Sequence, residues 1–137
     1  MEELFENPFI QTAGQYSVAV LALIVCLTIF EFLTPYKNWE QIKAGNMAVA
    51  LATGGKIFGV ANIFHFSILH NDSILLMSVW GAFGFALLML GYLIFEFLTP
   101  MFKVDEEIEN GNKAVGFIAF VLSTGLSFVI GGGINSM

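Results

Sequence analysis

The sequence predicts an all-α membrane protein. Four transmembrane helices are expected as two parallel two-helix repeats, related by a pseudo-two-fold axis along the membrane normal. Three observations predict this. First, the 137-residue chain is 57% hydrophobic and only 12% charged, with a mean hydropathy of +0.80; soluble domains carry about 25% charged residues. So short a chain has too little interior to hide that apolar surface, and a bilayer is the solvent that suits it. Second, residues 16–33, 47–69, 74–98 and 114–134 form four apolar stretches. Each approaches the roughly 20 helical residues that cross about 30 Å of hydrocarbon. Third, the heptapeptide Ile-Phe-Glu-Phe-Leu-Thr-Pro occurs twice, at Ile29–Pro35 and Ile94–Pro100.

The elements run in order. Residues 1–15 read as an acidic tail: Glu2, Glu3 and Glu6 lie there without a basic residue, the wrong charge for a secretory signal. Residues 16–69 form a first helical-hairpin repeat, 70–73 a short outer loop, and 74–137 a second hairpin repeat. The apolar runs are continuous rather than alternating, which favours helices over spanning strands. Helices also satisfy their own backbone hydrogen bonds in lipid. Lys37 and Lys43 lie between the first two spans, and Lys103 and Lys113 lie between the last two. The acidic tail, the outer loop and the C-terminal end have no lysine. Because cytoplasmic loops carry the Lys/Arg excess, both lysine-bearing loops are expected in the cytoplasm and both termini outside.

The repeat extends past the heptapeptide. With a one-residue insertion in the second copy, Glu40 matches Glu106, Ile42 matches Ile108, Gly45-Asn46 matches Gly111-Asn112, and Gly59 matches Gly125. A unit with two spans keeps its orientation when duplicated, so the halves are expected to be parallel. Four spans and two copies of Phe-Glu-Phe-Leu-Thr-Pro followed by Gly-Asn resemble the YjfL-like bacterial membrane proteins, domain of unknown function 350. The resemblance implies a small, multi-pass protein of the bacterial inner (cytoplasmic) membrane built from two helical hairpins. It implies no catalytic residues.

Each heptapeptide places a carboxylate, Glu31 or Glu96, just inside the end of a span, where charge is costly and usually functional. Pro35 and Pro100 lack an N–H, so the carbonyls of Glu31 and Glu96 lose their helical donors. A carboxylate beside a freed carbonyl suits a cation, a proton or a bound water. The helix dipole disfavours negative charge at that end, so each glutamate is expected either to be paired or to have a pKa raised through desolvation. Lys37 or Lys103 would serve in a purely structural reading.

Lys56 is the sharpest anomaly. It lies about ten residues into the second span, roughly 15 Å deep. An unpaired lysine there costs about 3 kcal/mol or more. Its counterpart in the second half is Leu122. Lys56 borders a face of Ala48, Ala52, Gly55, Gly59 and Asn62 that is expected to pack within the bundle. Glu31 or Glu96 is its expected partner. Gly55, Gly59 and Gly125 are read as helix-packing positions. Asn46 and Asn112 are read as N-caps of the second and fourth spans, with a polar vestibule as the competing role.

Other classes are excluded. Five lysines, no arginine and a net charge of −6 leave no basic face for nucleic acid. Cys26 is alone, so no intrachain disulfide forms. His65, His70 and Asp72 match no metal-site spacing. No catalytic constellation is present, so neither enzymatic activity, a cofactor nor a metal is expected. The expected function is an ion/proton or small-solute channel or transporter subunit using Glu31, Glu96 and Lys56. Four helices scarcely enclose a pore, so a homo-oligomer in the lipid bilayer is expected. The alternative is an oligomeric scaffold or stress-response component without transport. In that reading the acidic run 105–109 offers a docking surface to a cytoplasmic protein partner.

Overall fold

Why these residues form these helices is visible at their ends. In the computed structural model, residues 3, 6–70, 73–99 and 103–136 are described. Glu2, Asp72 and Pro100, invoked above, lie outside them. Four long helices are apolar enough to cross a membrane: α1 (Pro8–Leu33), α3 (Met47–His70), α4 (Ile74–Phe97) and α6 (Lys113–Asn135). Two short helices, α2 (Asn38–Lys43) and α5 (Val104–Glu109), sit between α1 and α3 and between α4 and α6.

α1 begins eight residues before the expected start at Tyr16. Asn7 accepts a hydrogen bond from the Phe9 N–H at 3.0 Å, and Pro8 occupies the first turn. Both are helix-start signals, since proline lacks only an N–H that the first turn would leave unpaired. The residues from Pro8 onward, read as tail, therefore belong to the helix.

The segments read as simple loops each contain a one-and-a-half-turn helix with the same ending. Gly45 and Gly111 adopt φ of 90° and 88°, a left-handed conformation that favours glycine. Around them, the Asn46 N–H donates to the Gln41 carbonyl and the Asn112 N–H to the Glu107 carbonyl, both at 2.9 Å. This is the αL-glycine helix stop. The same asparagines then start the next helix. Asn46 Oδ1 accepts from the Val49 N–H at 3.2 Å, and Asn112 Oδ1 from the Val115 N–H at 3.3 Å.

The two caps differ in their amides. Asn46 Nδ2 reaches across to the carbonyls of Ile108 (3.3 Å) and Glu109 (2.8 Å), tying α3 to the end of α5. Among the described residues, Asn112 Nδ2 bonds only to the nearby Glu107 side chain, at 3.0 Å. Asn46→Ala should lose about 2 kcal/mol of stability and Asn112→Ala about 1 kcal/mol, since a cap alone is worth roughly 0.5–2 kcal/mol. Denaturant unfolding in bicelles would rank them.

α3 and α6 form the closest helix pair. A Cβ on Gly55 would lie 2.6 Å from the Phe120 Cα, and one on Gly116 would lie 2.6 Å from the Ala48 carbonyl oxygen. The backbones touch because small residues line the seam, which is how helices associate without a hydrophobic drive in lipid. Gly59 sits on the same seam, its Cβ position 3.1 Å from the Ser123 carbonyl oxygen. Gly125 does not: a Cβ there meets nothing within 4 Å. Its match to Gly59 therefore carries no shared packing role. Asn62 Nδ2 donates to Ser127 Oγ at 3.0 Å across the seam, and Ser127 Oγ donates to the Thr124 carbonyl at 2.6 Å. Ser127 on α6 thus serves to join the two helices.

The interior divides into two apolar clusters. One lies by the short helices and contains Tyr36, Ala48, Val49, Ala52, Tyr92, Val104 and Ile108. The other contains Cys26, Phe30, Val60, Ile63, Phe85 and Leu88. On α3, Lys56 falls between Ala52 of the first cluster and Val60 of the second. α1 is the most peripheral span, and of its side chains only Cys26 and Phe30 are buried.

Candidate functional site around Lys56

The site is assembled from both apolar clusters. Lys56 comes from the middle of α3 and is 1% exposed. That burial rules out a side chain snorkelling to the interface. Among the described residues, its Nζ has no hydrogen-bond partner and no carboxylate within 4.0 Å. It lies instead over two rings: Tyr92 of α4, at 4.8 Å from the centroid, and Phe30 of α1, at 5.2 Å. Each such contact contributes about 0.5–2 kcal/mol. Neither Glu31 nor Glu96 pairs with it directly within 4.0 Å. Three carboxylates act on the ammonium at longer range, Asp105 most strongly, then Glu31 and Glu96.

Asp105 is hidden, in the sequence, within the acidic run 105–109. The structure buries it to 8% exposure because α5 turns Val104, Asp105 and Ile108 inward. The Tyr92 hydroxyl donates to Asp105 Oδ1 at 3.2 Å. The Tyr92 ring therefore contacts the ammonium while its hydroxyl contacts the carboxylate. The i, i+4 pair Val104 and Ile108 is the sequence signal for this inward face.

The two heptapeptide glutamates have different surroundings. Glu31 Oε2 accepts from Asn38 Nδ2 at 2.9 Å, and Oε1 accepts from the Asn38 N–H at 3.2 Å. The carboxylate thus sits at the N-terminus of α2, where the dipole favours it. Glu96 has no such amide, because the one-residue insertion puts Val104 where the first half has Asn38. Its carboxyl instead borders the same small cavity as that of Asp105. The lysines near these sites turn elsewhere: Lys37 pairs with Glu40 at 3.8 Å and Lys103 with Glu106 at 3.9 Å. These exposed pairs contribute little.

The freed carbonyls are also occupied. The Thr34 hydroxyl donates to the Glu31 carbonyl at 3.2 Å, and the Thr99 N–H donates to the Glu96 carbonyl at 3.4 Å. Each carbonyl thus accepts one hydrogen bond from within its own turn.

Glu96, Asp105, Tyr92, Phe30 and Thr34 line one cavity of about 10 Å³, close to the least that holds one water. Among the described residues, the buried Tyr36 hydroxyl has no hydrogen-bond partner. Burial pushes the Tyr36 phenol up from its ordinary pKa, and Asp105, Glu96, Glu109 and Glu31 push it further. Among the described residues, no three His, Cys, Asp or Glu side chains gather as a metal site.

Similarity to known proteins places this arrangement in a family. The model for "Domain of Unknown Function (DUF350)" matches residues 4–134. The chain belongs to the DUF350 family. Within it, the chain is 58% identical over 134 residues to the UPF0719 transmembrane protein YshE of Bacillus subtilis (strain 168), covering 98% of this chain and all of that one. It is 26% identical over 104 residues to the UPF0719 inner membrane protein YjfL of Escherichia coli (strain K12), covering 76% of this chain and 77% of that one. No solved structure matches. This DUF350 chain is a small integral membrane protein.

Proposed function

We propose that the protein is a subunit of an ion- or proton-translocating assembly, with Lys56, Asp105, Tyr92 and Glu96 as the ionisable part of its path. The observation that carries this is Lys56 itself. Its ammonium is fully buried between two rings and, among the described residues, lacks a hydrogen-bond partner. A group held so unfavourably in a bilayer is retained for function rather than for stability. The carboxyls of Asp105 and Glu96 connect it toward the end of the bundle that bears the short helices. Glu31, with both oxygens on Asn38, anchors α2.

In this reading the protein resides in the bacterial inner membrane, like the YjfL relative named for that location. Lys37, Lys43, Lys103 and Lys113 face the cytoplasm, and both termini face outward. The hairpins are related by a pseudo-two-fold axis along the membrane normal, with α3 and α6 nearest it. Four helices with a sealed interior conduct only as a homo-oligomer. The protein is not an enzyme and needs no cofactor. In liposomes bearing the purified protein, an imposed pH or cation gradient should dissipate, and Lys56→Met should abolish that flux while the variant remains folded. Unchanged flux in folded Lys56→Met removes Lys56 from the path.

The tightness of the 10 Å³ cavity favours a second reading, an oligomeric scaffold that transports nothing and docks a cytoplasmic protein on the exposed residues of α5. There, the same substitution changes assembly and the wild type shows no flux.

A further inference from the structure

We infer that α1 is a movable lid over Lys56, and that the outer half of the path is the cleft this lid closes, between α1 and α3. This deepens the proposed function and rests on its reading of Lys56 as part of a path; the lid itself rests on packing. α1 is held unevenly. Its last turn is fixed: both carboxylate oxygens of Glu31 accept from Asn38, and Tyr36 and Asn38 just beyond are buried. From Pro8 to Val25 no α1 side chain is buried. Ala19, Ala22 and Leu23 rest on the second apolar cluster only in part. By contrast, α3 and α6 meet backbone to backbone along their seam. Without a hydrophobic drive between helices in lipid, packing decides how firmly each is held, and most of α1 has little of it.

The cleft is already present in the closed structure. Between α1 and α3 lies a cavity of about 250 Å³, lined by Ala19, Val20 and Leu23 on one side and Ala61, Phe64 and His65 on the other. These α3 residues follow Lys56 in the direction away from the short helices, roughly 7–14 Å further along the helix at 1.5 Å per residue. Phe64 belongs both to the cleft and to the second cluster. Val60 is one turn from Lys56, and the Phe30 ring lies on the ammonium. With Cys26, these side chains form an apolar plug between cleft and ammonium. Such a constriction excludes water until it widens.

Opposing forces meet at Phe30. Its ring holds α1 down through edge-to-face contacts with Phe85 at 5.3 Å and Tyr92 at 6.5 Å, and through the ammonium at 5.2 Å. The desolvation of that ammonium acts the other way. Lys56 is 1% exposed and, among the described residues, has no hydrogen-bond partner. Admitting water relieves a penalty that ring contacts do not cancel. A tilt of α1 about its fixed end widens the cleft from the outer side, frees Phe30 to turn out, and lets water reach Nζ.

Cys26, the single cysteine of the chain, lies in the plug and reports its opening. The full chain in lipid nanodiscs is treated with methyl methanethiosulfonate, and mass spectrometry follows the labelled fraction. The wild type should label slowly, because a side chain 6% exposed must wait for the lid. Phe30→Ala should label about tenfold faster, the factor that losing one or two ring contacts implies. Lys56→Met keeps Phe30 in place but removes the penalty, so it should label several-fold more slowly. Gly116→Ala weakens the α3–α6 seam without touching α1, and its rate should match the wild type. That comparison separates lid opening from global unfolding. A Phe30→Ala rate no higher than wild type, a rate that Lys56→Met does not lower, or a Gly116→Ala rate as high as that of Phe30→Ala overturns the inference. The expected responses in a protein that shows no flux leave the lid standing and remove the transport reading.

Discussion

Lys56→Met is expected to stabilise the protein, by about 1–4 kcal/mol, the gain seen when well-packed apolar side chains replace buried charge. The ammonium is 1% exposed and, among the described residues, makes no ion pair within 4.0 Å. Its two ring contacts return about 0.5–2 kcal/mol each, against several kcal/mol for desolvation. Methionine follows the same unbranched path between Phe30 and Tyr92 and adapts to the space. Glu96 and Asp105 lose a distant counter-charge, but Glu96 is only partly buried, so its charge stays partly solvated. Thermal unfolding in detergent, with circular dichroism as the readout, measures the difference. A loss of several kcal/mol would instead make Lys56 a structural element of the bundle.

Gly55→Ala is expected to be strongly destabilising. The added Cβ would lie 2.6 Å from the Phe120 Cα and 3.1 Å from its carbonyl oxygen. Backbone cannot swing aside as a side-chain tip does, so α3 and α6 must separate along their seam. Overpacking typically costs about 1–3 kcal/mol, and a backbone clash belongs at the upper end. Gly116→Ala meets the Ala48 backbone on the same seam and should behave alike. Gly125→Ala is the internal control: it points into open space and should gain up to about 1 kcal/mol from helix propensity. Equal effects at Gly55 and Gly125 would mean that the α3–α6 seam is not as close as described.

Much of the fold is legible in the sequence. Met47, Ile74 and the Gly-Asn turns mark helix boundaries because glycine, asparagine and apolar continuity act locally. The start of α1 is less so: Glu3 and Glu6 make the adjoining stretch read as a charged tail, although Asn7-Pro8 carries the start signal. The site is the hardest to read. Lys56 announces itself, since a lone lysine in an apolar run is visible by eye. Its partners do not, because rings from α1 and α4 reach it only through tertiary packing.

The two glutamates look identical in their heptapeptides. Their difference depends on residues seven to nine positions further along the chain: Asn38 in one half, Val104 and Asp105 in the other. Asp105 is masked by the charges around it. Only the inward turn of α5 separates it from Glu106 and Glu107, so a single run of acidic residues contains both a buried carboxylate and solvated ones.

The repeated glutamates thus have divided roles, Glu31 as anchor and Glu96 as part of the proposed ionisable path. Proton flux into liposomes bearing Glu31→Gln or Glu96→Gln, driven by the same pH gradient, separates the two most directly. Glu96→Gln should lose flux while folded Glu31→Gln retains it. Equal loss in both variants, or full flux in Glu96→Gln, would contradict that division.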